Sequence, residues 1–441
     1  MEEKRYQEIA EQGAALFPQI QALRRQLHRQ PEQGWLEICT SALVAERLQA
    51  LGYEVLVGDA VTADTRMGLP DQAVCDAAYE RALAAGVSLA LANRMRDGRT
   101  GVIGILHCGE GPVVALRFDM DALPLTESDD SERQAVREEY TSAQAGSMHA
   151  CGHDGHTAIG LGVAEILATQ RTQLHGTVKL IFQPAEEGVR GAAAIVEKGH
   201  LDDVDALLAA HIQDRGDLDG DVIPGSCGAY ATTKLDAHFH GRAAHAASAP
   251  EKGRNVMLAV AAAITNLYAI PRHSGGASRV NVGTVHAGSG RNIIADAADM
   301  TLEVRGETTA INAYMEDYAR RILNASAAMH GCEVSIDKRG EAFSLTSDAA
   351  LMERVRTVCT ALPDVALSSR PEQHLNDSED ISYMMARVQA HGGQTTFMRL
   401  LTATSDVPHG CRFDFDEHVL QTGMSVFSAV TMDLLKEETA R

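Results

Sequence analysis

Positive charge is scarce in this sequence. Its 441 residues hold 39 Lys and Arg against 60 Asp and Glu, a formal net charge of −21. No dense Lys/Arg tract breaks that acidity. A chain so acidic repels phosphate backbones and anionic headgroups, so neither nucleic acid nor a membrane is an expected partner. Long apolar runs are missing too. The longest, near residues 257–264, falls far short of the ~20 residues a membrane helix needs. Met1-Glu2-Glu3-Lys4-Arg5 leads into a mixed polar stretch with no apolar segment of the signal-peptide kind, and the expected location is the cytoplasm. The eight cysteines are scattered through a long chain. That spacing excludes a small disulfide scaffold and predicts reduced thiols. Internal repeats and low-complexity tracts are absent. The glycines of 220–228 and 275–290 do not form a G-x-G-x-x-G turn between strand and helix, which argues against a dinucleotide-dependent oxidoreductase.

What is present is an ordinary globular composition, 45% apolar and 22% charged. The length allows about two or three domains. Apolar spacing predicts a helix over 41–51, ended by Gly52, and a strand over 53–57. A helical stretch at 71–85, behind Gly68-Leu69-Pro70, reads as an insertion, because the strand pattern resumes only at 101–106. Strands are expected at 113–118, 178–182 and, more weakly, 206–210. A helix is expected at 157–169, and the acidic stretch 127–147 reads as loop. From about Thr233 the order becomes strand (234–240), helix (255–270), strands (279–286 and 300–305), helix (310–330) and strand (332–338). That β-α-β-β-α-β order is the split βαβ pattern of a ferredoxin-like unit. It reads as a domain over 234–340 inserted into a discontinuous α/β domain of 1–233 and 341–441.

Four segments share one grammar, a β-rich run followed by polar side chains able to hold a cation. They are Asp119-Met120-Asp121 after 113–118, Gln183-Pro184-Ala185-Glu186-Glu187-Gly188 after 178–182, His211 after 206–210, and His149-Ala150-Cys151-Gly152-His153-Asp154-Gly155-His156 before the helix at 157. Singly, most have a bland reading: Asp-x-Asp is usually a solvated turn, paired glutamates a surface loop, a lone histidine a core residue. The Cys-Gly-His-Asp-Gly-His stretch is stronger, with a thiol and imidazoles in a short span. In an open α/β sheet such segments meet at the carboxyl ends of the strands, and His, Cys, Asp and Glu gathered there suit a metal.

The His149–His156 and Gln183–Gly188 stretches together resemble the M20 metallopeptidase family, in its amidohydrolase branch. Leu27-His28-Arg29-Gln30-Pro31-Glu32, Ser378-Glu379-Asp380 and Phe413-Asp414-Phe415-Asp416-Glu417 also fit, so the resemblance spans nearly the whole chain. The insertion carrying Arg66-Met67-Gly68-Leu69-Pro70-Asp71 narrows it toward hydrolases of aminobenzoyl-glutamate. The resemblance implies an α/β fold: a zinc-peptidase-like catalytic domain interrupted by a ferredoxin-like lid that dimerises. It implies two divalent cations per subunit, Mn or Zn, held by Cys151, His153, Glu187, His211 and His409, with Cys151 bridging. Glu186 would be the general base, and Asp121 would orient a ligand from behind. His245 would steady the oxyanion from a neighbouring subunit, while Asn292 and Arg305 would hold the substrate's carboxylate end. One departure is Gly410-Cys411 after His409, where the family often has Asn or Ser.

This residue set suits amide hydrolysis. A bound divalent cation lowers the pKa of water from about 15.7 to roughly 7. Two neighbouring cations need anionic ligands, which a thiolate and a carboxylate supply while neutral imidazoles complete the shell. The expected reaction is cleavage of an N-acyl amino acid, foremost p-aminobenzoyl-glutamate, with indole-3-acetyl-aspartate or another N-acyl amino acid as the alternative. Expected partners are that small molecule and a second subunit, in a homodimer or a heterodimer. A non-catalytic subunit of a heteromeric hydrolase is the rival class, and the presence of Glu186 beside a full ligand set argues against it.

Overall fold

The computed structural model describes residues 2–436. They divide into two compact units. The larger takes in residues up to 227, 346–374 and those from 383 on. Its centre is a seven-stranded mixed sheet in the spatial order Glu54–Val57, Val102–His107, Thr177–Gln183, Val113–Asp119, Ala206–Asp214, Gln394–Thr402, Val222–Ile223. The four strands from Thr177–Gln183 to Gln394–Thr402 run parallel, and the flanking pairings are antiparallel. Strands buried on both faces read as near-continuous apolar runs rather than alternating ones. Val114, Leu116, Phe118, Val178, Leu180, Phe182, Leu207 and Leu208 are buried in this way.

Helices Glu2–Arg29, His153–Thr169 and Val419–Leu434 pack on one another, and the latter two also on the central strands. Phe118 anchors this layer, with ring centroids 5.5 Å from Phe182 and 5.0 Å from Phe427. Each such burial contributes about 1.5–3 kcal/mol. Glycine lets the middle helix sit directly on the aromatic layer. A Cβ at Gly160 would lie 2.7 Å from the Phe118 ring and 2.8 Å from that of Phe182. This close seat fixes the start of the helix at the carboxyl ends of the parallel strands.

Two differences from the sequence expectations bear on function. The helix begins at His153, not near 157, so a candidate ligand is its first residue. The strand beginning at Ala206 runs on to Asp214, so His211 lies within it rather than after it. The polar stretch 127–147 also carries a short helix, Gln134–Arg137.

The smaller unit spans Gly228–Leu345 and Leu375–Ser382. It is a four-stranded antiparallel sheet in the order Glu333–Ala342, Ala231–His240, Ala297–Gly306, Ser278–Ala287. Helices Val256–Tyr268 and Thr309–Met329 complete a β-α-β-β-α-β order. Its own core includes Leu235, Phe239, Val260, Leu267, Met300, Leu302, Met315 and Leu323. This unit starts at Gly228, ahead of the expected 234, and includes a segment outside 234–340. That segment is tied in by main-chain and hydroxyl bonds, Tyr230 N–H to the Asp377 carbonyl at 2.9 Å and Phe343 N–H to Ser382 Oγ at 2.9 Å. Such long-range ties leave no local sequence pattern. Among the described residues no helix is long and apolar enough to cross a membrane.

Replacing Gly160 with valine would overpack the helix–sheet contact. Gly160→Val is expected to lose about 1–3 kcal/mol of stability, read as a lower urea midpoint. An unchanged midpoint would mean the helix can lift off the aromatic layer without penalty.

Candidate metal centre

The site forms where the parallel strands end. Gly152 has φ +91°, a left-handed conformation that favours glycine. It turns the chain from Cys151 into the helix, so the thiol and the imidazole of His153 face the same space. Both are buried, as are His211 and Glu186.

The hydrogen bonds of the histidines decide which nitrogens are free. His153 donates from Nδ1 to the Asp121 carbonyl at 2.9 Å, and His211 from Nδ1 to the Ile212 carbonyl at 2.6 Å. In the neutral ring the lone pair of each is then on Nε2, the arrangement in which a metal-ligating histidine is oriented by a backbone oxygen behind it. His211 Nε2 lies 3.5 Å from Cys151 Sγ. His156 is different. Its Nδ1 faces Asp119 at 2.5 Å, and its Nε2 accepts the Ile212 N–H at 2.9 Å. Both nitrogens are used, so His156 supports the strand that carries His211 instead of binding an ion. Asp119 is likewise engaged, with Arg117 as well as His156.

Asp121 organises the glutamate pair. Its Oδ1 accepts the N–H of Glu186 and its Oδ2 the N–H of Glu187, both at 2.9 Å. Glu187 Oε1 lies 3.5 Å from Nε2 of His409. His409 is half exposed and has φ +67°. Its position is held by its own N–H, which donates to the Ala150 carbonyl at 2.8 Å.

Two donor groups result, Cys151 with His153 and His211, and Cys151 with Glu187 and His409. Within each, the ligand atoms lie within 4.8 Å of one another. The sulfur is common to both, which suits a thiolate bridging two cations. Glu186 stands within the same distance of His153 and Glu187. The fit to a cation also shows in two buried atoms without hydrogen-bond partners, His153 Nε2 and Glu187 Oε1. Burial pushes the Cys151 thiol well up, with Glu187 adding to the effect, and burial also raises Glu187. Burial lowers His211, aided by His156 and Arg399. A closely spaced thiol and carboxylate that resist ionisation beside a neutral imidazole are what a divalent cation would compensate.

Behind the ligand turn lies a buried charge network whose members carried no assigned role in the sequence. Arg24 pairs with Asp154 at 2.8 Å, Asp414 at 2.7 Å and Glu417 at 3.3 Å. Its guanidinium sits 4.2 Å over the Phe415 ring. Asp154, the acid between the two histidines of the motif, is thus an anchor for the helix start and not a ligand. His28 donates from Nδ1 to Asp154 at 2.7 Å and from Nε2 to Glu127 at 3.1 Å. Burial opposes its charge, but the two carboxylates prevail and push the imidazole up to about 9. The signal in the sequence was a pair of segments, 27–32 and 413–417, whose mutual contact only folding reveals.

The remaining candidates belong to the smaller unit. His245 is exposed, and its Nδ1 accepts the N–H of Ala247 at 3.2 Å and of Ser248 at 3.1 Å. That leaves the ring proton on Nε2. Asn292 is its neighbour: the Asn292 carbonyl accepts the Ala246 N–H at 3.0 Å, and His245 bridges to Ile293. Arg305 is not with them. It lies near the far end of strand Ala297–Gly306, paired with Glu303 at 2.9 Å. Eight residues of strand separate it from Ala297, roughly 26 Å at ~3.3 Å per residue.

Residues 115–433 match peptidase family M20/M25/M40, and the chain belongs to this family. It is a metal-dependent amidohydrolase. It is 44% identical over 420 residues to the indole-3-acetyl-aspartic acid hydrolase of Enterobacter agglomerans, covering 95% of this chain and 96% of that one. It is 42% identical over 421 residues to a p-aminobenzoyl-glutamate hydrolase subunit of Escherichia coli K12, with 95% and 96% covered. The crystal structure of the aminobenzoyl-glutamate utilization protein from Klebsiella pneumoniae superimposes with a TM-score of 0.82 at 37% identity, covering 96% of this chain and 97% of that one.

Two outcomes are expected. Cys151→Ala removes the sulfur common to both donor groups and should lower metal content, measured by elemental analysis after dialysis; full occupancy would make the thiol a bystander. The stability that His28 supplies is fully present below about pH 6.5 and is lost as the pH rises through about 9. In His28→Gln the urea midpoint should therefore vary less across that window than in the wild type.

Proposed function

We propose that the chain hydrolyses the amide bond between an aromatic acyl group and an acidic amino acid, foremost p-aminobenzoyl-glutamate, giving p-aminobenzoate and glutamate. The observation that carries the hydrolytic reading is the pair of donor groups sharing the Cys151 sulfur, with Glu186 beside them. When bound, the cations would supply Lewis-acid activation of water and of the amide carbonyl. Cys151, His153, His211, Glu187 and His409 would hold them. Glu186 takes a proton from the attacking water at its carboxylate and returns it to the leaving nitrogen. Asp121 keeps that carboxylate in place through the main chain. The name of the 42%-identical relative and that of the Klebsiella structure support aminobenzoyl-glutamate. The 44%-identical relative favours a second reading, indole-3-acetyl-aspartate.

The smaller unit serves as lid and dimer contact in this reading. Ser278–Ala287 is an edge strand with exposed Val285, and Met257, Leu258 and Tyr268 are exposed on the helix Val256–Tyr268. An open strand edge beside apolar side chains invites a second chain, either an identical copy or a homologous one. Ala297, a few residues after Asn292, and Arg305 stand near opposite ends of one strand, which favours a reading in which His245 and Asn292 act apart from Arg305. His245 and Asn292 would serve the partner's site, where His245 donates from Nε2 to the oxyanion, and Arg305 would meet a substrate carboxylate elsewhere. The eight unpaired cysteines support a reducing compartment, the cytoplasm.

Reconstitution with Mn²⁺ or Zn²⁺, followed by product analysis on N-acyl glutamates and aspartates, tests the reading. Release of p-aminobenzoate fastest among the panel is expected; fastest release of indole acetate would install the second reading. Glu186→Ala should lower kcat by about 10²–10⁴-fold with metal content near that of the wild type. Loss of metal in that variant would move Glu186 into the ligand set.

A further inference from the structure

The glutamate pair depends on a second carboxylate to which neither motif nor mechanism assigns a role. Glu37, the residue before helix Ile38–Ala50, is fully buried. Its Oε1 accepts the N–H of Ala185 at 2.8 Å, and its Oε2 accepts the Thr100 hydroxyl at 2.7 Å. Ala185 has φ +51°, a left-handed conformation that a side chain disfavours by roughly 1–2 kcal/mol. Its methyl is buried with Trp35, Ala63 and Ala194. The next two amides, of Glu186 and Glu187, go to Asp121. Three successive N–H groups are therefore held by two buried carboxyl groups, Glu37 for the first and Asp121 for the next two.

We propose that Glu37 is a positioning residue for hydrolysis: by holding the Ala185 amide it fixes the left-handed turn that sends the Glu186 and Glu187 side chains to different tasks. The inference rests on the hydrolase reading above. Two adjacent residues in an extended segment would point to opposite sides, and in a helical turn they would diverge by about 100°. The left-handed residue ahead of them resets the direction of the pair, so that both carboxylates reach the His153 side while their amides face Asp121. Glu37 is the acceptor that the Ala185 N–H uses. Without Glu37, Ala185 would gain by relaxing to negative φ, and the pair would swing with it. Burial and the nearby Asp121 push the Glu37 carboxyl up to about 8. A glutamine carbonyl in that place keeps an acceptor for the Ala185 N–H, and its amide group faces Thr100 Oγ1, whose hydroxyl can turn to accept.

The test uses three variants of the full-length protein. Glu37→Met fills the space without an acceptor, Glu37→Gln keeps one, and Thr100→Val removes only the other bond. Each is read by steady-state kinetics and by the visible absorption spectrum and affinity of the Co²⁺-substituted protein. A displacement of about 1 Å costs on the order of 100-fold in rate. Glu37→Met is thus expected to lose about 100-fold in kcat, to change the Co²⁺ spectrum and to weaken Co²⁺ binding. Glu37→Gln should restore kcat, spectrum and affinity to near wild type. Thr100→Val should lower the urea midpoint while leaving the Co²⁺ spectrum as it was. A Glu37→Met protein with the wild-type spectrum and kcat would overturn the proposal, as would a folded Glu37→Gln protein as impaired as Glu37→Met. Should Glu37→Met be insoluble, Glu37→Asp, one methylene short of the amide, is read against the same two outcomes. If the wild type cleaves no N-acyl amino acid, the hydrolase reading fails by itself, and the Co²⁺ spectra still decide whether Glu37 shapes the ligand turn.

Discussion

Asp121 accepts two consecutive main-chain N–H groups, one on each carboxylate oxygen, and lends its own carbonyl to His153. A single residue at a strand end thereby sets the direction of the His153 ring and of both glutamates. Its reach depends on burial, because in water these amides would exchange partners freely. In the low dielectric of a strand-end crevice, a carboxyl acceptor bonded to two amides is strong and an unpaired polar group is heavily penalised. The rest of the centre is built around that fixed point. His211 is aimed by the Ile212 carbonyl, and Ile212 is in turn held by His156.

Charge is managed in two layers. The inner one collects a thiol and carboxylates, and burial there raises both the Cys151 thiol and the Glu187 carboxyl. The outer one is already balanced: Arg24 meets Asp154, Asp414 and Glu417, and His28 meets Asp154 and Glu127. Removing one member of such a buried set leaves an uncompensated charge, which is destabilising by about 3–5 kcal/mol. The outer layer joins the first helix, the ligand helix and the segment before the last helix. The turn that leads into the helix from His153 is thus pinned from two distant parts of the chain.

Particular elements show how far the sequence could be read. The strand at 113–118 was legible because a doubly buried strand is a plain apolar run. The order of elements in the inserted unit was legible from its periodicities. Cys151, His153, Glu187, His211 and His409 carried a family resemblance in their motifs, and the fold brings them into two overlapping groups. Glu37 and Arg24 were silent. One is a glutamate before a helix, the other an arginine on a long polar helix, and both patterns are ordinary on a solvated surface. His211 was placed after its strand because the apolar run ends at Ala210, whereas backbone pairing with Arg399 and its neighbours carries the strand onward.

The sequence by itself determined the chemistry on offer, namely which donors exist, that they sit beside strand-forming runs, and that an α/β chain is interrupted by a β-α-β-β-α-β insertion. Those features are local, set by side-chain type and by periods of two and 3.6 residues. The tertiary structure alone decided which nitrogen of each histidine is free, that Asp154 and His156 are supports, and that Arg305 stands apart from His245 and Asn292. The supports in particular depend on bonds between residues tens to hundreds of positions apart, His153 with Asp121, His156 with Asp119 and Ile212, and Asp154 with Arg24, and no local pattern encodes a partner at that distance.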